Sequence, residues 1–80
     1  MKSDRVVYNM QILANNITLL RKKHRLSKVK MAKILKISVS SLSKIEAGVI
    51  PPRLKVDILF HIRDHFGLSI QSLFQPQDTE

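Results

Sequence analysis

Side chains capable of covalent or metal chemistry are few in this sequence and poorly grouped. It has no cysteine, which removes thiolate metal sites, cysteine nucleophiles and a disulfide framework together. His61 and His65 stand at i and i+4 with Asp57 one turn earlier, a spacing that can gather metal ligands on one helix face. No fourth ligand accompanies them, and His65 falls within the apolar arc of its helix. Both histidines therefore read as hydrogen-bonded or half-buried side chains, and no metal or cofactor is expected. Without a Ser/His/Asp order, a glycine-rich phosphate loop or a carboxylate pair, the sequence does not read as an enzyme. What it has in quantity is positive charge: 14 Lys/Arg against 6 Asp/Glu in 80 residues, a net +8. Residues 1–45 hold eleven of the cations and one acid, Asp4, for +10; residues 46–80 hold three cations and five acids, for −2. A basic half joined to a mildly acidic one implies a face made for a polyanion. A basic surface kept for solubility is the plainer alternative.

The elements that would position this charge lie between Leu26 and Gly48. Ser27 is placed to cap a helix over Lys28–Leu35, with Met31, Ala32 and Leu35 on its buried stripe. Ser38 is placed to cap a second helix from Val39 to about Ala47, with Leu42 and Ile45 inward and Gly48 closing it. The small residue Ala32 falls where two crossed helices must approach. Helix, short turn and helix in this order form a helix-turn-helix, whose second helix enters a DNA major groove. With Leu42 and Ile45 inward, Val39, Ser40, Ser43 and Lys44 point outward and Ser41 lies at the flank. Lys44 can donate to guanine O6 and N7, Val39 can meet a thymine methyl, and Ser40 can bond either kind of base edge. Lys28, at the start of the first helix, is placed for a phosphate, and Lys30, Lys33, Lys36 and Arg21–Lys23 add positive field. The plainer reading is that these side chains only solvate an exposed face. Long bidentate side chains are scarce on the second helix, so specificity is expected to lean on DNA shape.

The stretch resembles the phage-repressor-like (Cro-type, XRE) helix-turn-helix family at Leu26, Ser27, Met31, Ala32, Ile37, Ser38, Leu42, Ser43, Ile45, Glu46 and Gly48. The likeness extends over about Leu13 to Phe74. It implies an all-α, five-helix, lambda-repressor-like fold with the motif at helices 2 and 3. It also implies a transcriptional regulator that binds double-stranded DNA, as a homodimer on a pseudo-palindromic operator with half-sites about one helical turn apart. Mapped onto this chain, the family's base contacts fall on Val39, Ser40 and Lys44. Phosphate contacts fall on Lys28, Ser41 and Ser43, with Lys36 and Arg53 as further candidates. Arg21 takes the place of an arginine that pairs with the glutamate standing here as Glu46, which would tie helix 1 to helix 3. Glu46 is the only acid between Asp4 and Asp57, so the residues themselves support that pairing. The chain departs from the family at two places. Lys36 stands where the family has a glycine of positive φ. The loop Val49-Ile50-Pro51-Pro52 is apolar where the family is basic, leaving Arg53 and Lys55 as substitutes.

Around the motif, Leu13, Ile17 and Leu20 give a stripe that predicts helix 1 over about Met10 to His24. Residues 1–9 read as an N-terminal arm, or as a cover for one end of the core through Val6, Val7 and Tyr8. Helix 4 is expected over about Leu54 to Phe66, with Leu54, Ile58, Leu59, Ile62 and Phe66 inward. Val56 and Phe60 project opposite that arc as a candidate dimer surface. A short helix 5 over Ile70–Phe74, capped by Ser69, and a polar tail, 75–80, complete the chain, leaving 10–74 as the DNA-binding domain. No apolar run reaches the roughly 18–20 residues of a membrane span, and no signal-peptide core opens the chain, so a cytoplasmic location and no membrane partner are expected. So short a chain leaves no separate oligomerisation or sensor domain, so dimers are expected through helix 4 and 5 surfaces or on DNA itself. The rival reading is a protein-interaction adaptor or antitoxin-like module of the same fold, meeting an unknown protein partner through Val49–Ile50 and Phe60. A basic module for RNA or an anionic membrane is disfavoured, because few aromatics are placed for base stacking and no helix joins a basic face to a broad apolar one.

Overall fold

No glycine or proline interrupts residues 2–47, so the only breaks in the first half of the chain are the ones its caps impose. The computed structural model describes residues 2–49 and 56–76, with side chains at 10–49 and 56–76. It has α1 (Lys2–Lys23), α2 (Lys28–Leu35), α3 (Val39–Glu46), α4 (Val56–Phe66) and a closing 3-10 turn, Gln71–Phe74. There is no strand among the described residues. α1 packs against α3 and the closing turn, while α2 packs against both α3 and α4. One core results, built from Leu13, Ala14, Ile17 and Leu20 of α1, Met31, Ala32 and Leu35 of α2, Leu42 and Ile45 of α3, Ile58 and Ile62 of α4, and Leu73.

Serine caps set where α2 and α3 begin. Ser27 Oγ accepts from the Lys30 amide at 3.1 Å, and Ser38 Oγ accepts from the Ser41 amide at 3.0 Å. Each supplies a partner for an amide that the first helical turn leaves unpaired. Three helices end by one shared device. Leu26 N–H reaches back to Arg21 O and Arg25 N–H to Lys22 O, both at 3.0 Å. Ile37 and Lys36 repeat this pair on Ala32 O and Lys33 O, and Val49 and Gly48 repeat it on Lys44 O and Ile45 O. This paired bond needs a left-handed residue at the corner, a place glycine usually takes. Gly48 sits there with φ 88°, but Arg25 and Lys36 hold the other corners at φ 55° and 58°. A non-glycine residue in that region costs roughly 1–2 kcal/mol.

Four expectations need correction. The helix expected from Met10 starts at Lys2, so the residues read as an arm continue α1. Its apolar stripe marks only the part that faces the core, and no glycine or proline stops the helix between Lys2 and Met10. The expected fifth helix over Ile70–Phe74 is a single 3-10 turn, giving four α-helices rather than five. Gly67, at φ 69°, and Pro76 bracket too short a segment for more, and Ser69 Oγ still accepts from the Ser72 amide at 3.2 Å. His65, placed in the core arc of α4, is exposed, its ring edge-on to Phe66 with centroids 4.8 Å apart. The polar tail begins later than Gln75, whose carbonyl is bound to α1 by Asn16. Leu54, Lys55 and the loop residues Ile50, Pro51 and Pro52 lie outside the described residues, as do 77–80 and the side chains of Val6, Val7 and Tyr8.

Among the described residues, Asn16 is the one polar residue buried with the core, at 4% exposure. Its Nδ2 donates to Leu73 O at 2.6 Å and to Gln75 O at 2.9 Å, fastening the closing turn to α1 across more than fifty residues of chain. The stripe Leu13, Asn16, Ile17, Leu20 runs at i, i+3, i+4, i+7. That register was the available signal that a polar side chain here faces inward.

Candidate nucleic-acid interface

The surface that would meet a polyanion is carried by α2 and α3, and its rigidity comes from beneath. Leu42 and Ile45 seat α3 on the core, and Met31, Ala32 and Leu35 seat α2. Ala32 is buried, which keeps one side chain between the two helices small. From α1, Arg21 reaches under α3: Nε donates to Glu46 Oε2 at 2.7 Å and a terminal nitrogen donates to Glu46 Oε1 at 3.0 Å. A further guanidinium N–H donates to Leu26 O at 3.1 Å, so one side chain links α1, the corner before α2, and α3. The two side chains are only 14% and 7% exposed. The hydrogen bond to Glu46 raises Arg21 above its ordinary, already alkaline pKa; burial works against this and the carboxylate charge works with it. This planar fork fixes an angle between helices, which a single flexible ammonium cannot do.

Above this base, Val39, Ser40, Ser41 and Lys44 are exposed on α3, as expected of base- and flank-contacting positions. Ser43 is half-buried rather than outward, since it lies at the edge of the Leu42–Ile45 stripe. Ser38 Oγ donates to Ser41 Oγ at 2.9 Å while accepting from the Ser41 amide. That arrangement leaves the Ser41 hydroxyl hydrogen to donate outward. Lys28, Lys30, Lys33 and Lys36 are all exposed, and none makes an ion pair among the described residues. Their field is therefore not cancelled locally. Val29, 52% exposed beside Lys28, is an apolar element of this surface that the sequence reading passed over. Arg53 lies outside the described residues.

The other candidate site residues lie on α4. Val56 and Phe60 are 60% and 39% exposed on α4, with the Arg63 guanidinium 4.9 Å from the Phe60 ring centroid and paired to Asp64. No group of His, Asp or Glu able to hold a metal occurs among the described residues. His24 and His65 instead pack on Phe66, the former with ring centroids 4.9 Å apart. No described helix is long and apolar enough to cross a membrane.

Compared with known proteins, residues 17–73 match a family model described as helix-turn-helix. The match runs from Ile17 in α1 through both motif helices and α4 to Leu73 of the closing turn. No curated protein and no solved structure matches the chain.

Proposed function

The chain belongs to the Cro/XRE-type helix-turn-helix family of DNA-binding regulators, and on that premise we propose that it reads a pseudo-palindromic operator as a homodimer, with α3 in the major groove. The observation that carries this reading is the combination of exposed Val39, Ser40 and Lys44 on α3 with lysines on α2 and at the α2–α3 corner that make no ion pair among the described residues. Lys44 donates to a guanine edge, Val39 lies against a thymine methyl, and Ser40 bonds a neighbouring edge. Lys28, Lys36, Arg53 and the hydroxyls of Ser41 and Ser43 hold phosphates and set the register. The Arg21–Glu46 pair serves structure, holding α3 at its docking angle. Two copies would associate through α4, where Val56 and Phe60 are exposed one turn apart. Half-sites would then be separated by about one helical turn of DNA.

Sedimentation of the protein with a duplex that it selects tests the assembly. Two chains per duplex are expected, and one chain per duplex would contradict the dimer. The rival reading, a protein-interaction module of the same fold, draws on the exposure of Val49 and Phe60. It predicts no preferred duplex at all.

A further inference from the structure

Three helix-ending corners have the same backbone geometry, and two of them carry a cation where glycine would fit more easily. Gly48 shows that the bond pattern needs no charge. Arg25 and Lys36 share more than a positive φ. Each is exposed, makes no ion pair among the described residues, and is followed by a half-buried apolar residue, Leu26 or Ile37, that packs on the core. Each lies two residues ahead of a serine that caps a motif helix, Ser27 or Ser38. The chain thus enters α2 and α3 through matching corners: cation, apolar anchor, serine cap. A rigid corner gives a long side chain a fixed point of origin, and little backbone ordering remains to be done when it meets a charge.

We propose that Arg25 is a DNA-backbone contact acting as a counterpart to Lys36, and that both corners hold a cation at the expense of fold stability. This rests on the DNA-binding reading and adds to it a phosphate contact ahead of α2. The competing explanation is that cations merely favour the negative end of a helix, as they do after many helices. The two explanations differ in DNA binding. Replacing the strained cation by glycine relieves the corner under either, but weakens binding and lowers the salt slope only under the proposal.

The experiment measures thermal melting, and binding to a selected duplex across a salt series, for the wild-type chain and for Arg25→Gly, Lys36→Gly and Arg25→Lys. Arg25→Gly should melt higher, bind a two-half-site duplex about sixtyfold more weakly in 0.1 M monovalent salt, and lose about 1.8 from the slope of log affinity against log salt, the share of two phosphates, one for each chain of the dimer. Lys36→Gly should behave alike, and Arg25→Lys should keep the wild-type slope. Wild-type binding that Arg25→Gly leaves unchanged in affinity and slope overturns the proposal alone. A wild-type chain that binds no duplex overturns the DNA-binding reading and the proposal together.

Discussion

Arg21 satisfies three acceptors at once, two on Glu46 and one on Leu26, and its variants separate geometry from charge. Glu46→Gln leaves the guanidinium half-buried without its counter-charge and should cost about 2 kcal/mol, below the figure for a fully buried pair. Arg21→Lys keeps the charge but loses the fork and should cost about 1–2 kcal/mol. Urea denaturation checks both, and a neutral Glu46→Gln would remove the pair from the structural account. Because the folded-state pKa of Arg21 is raised, its stabilisation is complete below the unfolded value and is lost only as pH climbs through the folded one. Arg21 therefore adds no pH dependence near neutrality. Asn16 makes a second case. Asn16→Leu removes both donors and leaves the Leu73 and Gln75 carbonyls without them, a loss of about 2 kcal/mol measurable in the same denaturation. The Arg21–Glu46 pairing was legible beforehand through the family likeness, supported by Glu46 being the only acid between Asp4 and Asp57. For Asn16 the register signalled only that it faces inward; its partners are backbone carbonyls, whose positions no side-chain pattern records.

At the scale of the element, the motif helices are specified by their ends. α2 and α3 are only eight residues each, too short to persist alone, so caps and core contacts decide them. Ser38→Ala removes the Ser41 amide acceptor and the Ser41 hydroxyl's neighbour together, and should destabilise by about 1 kcal/mol in thermal or urea unfolding. These two helices were readable almost to the residue: serines mark their starts, and apolar 3/4 spacing marks their inner faces. Their left-handed corners were half readable, Gly48 from its residue type and Lys36 only through a family likeness. Arg25 gave no sign, since an arginine after a helix is equally well explained by its dipole. The misread elements lay at the edges. The start of α1 has no capping signal strong enough to fix it, and the 3-10 turn is kept by Asn16 and Leu73 packing rather than by its own propensity.

For the whole molecule, charge and association are the properties to test. The unequal division of charge between the two halves of the chain predicts that affinity for DNA falls steeply with salt, whatever the sequence read. Association through α4 predicts that Phe60→Glu, at a position 39% exposed, leaves the melting temperature nearly unchanged. The same variant should weaken binding to a two-half-site duplex far more than binding to a single half-site. Equal loss on both duplexes would place the dimer contact elsewhere. The most direct test of the central claim is selection of bound sequences from a random duplex pool by the wild-type chain and by Lys44→Ala. The account predicts a discrete, roughly two-fold motif that relaxes at one position of each half-site in the variant. Enrichment of no motif, or of one indifferent to Lys44, would contradict it.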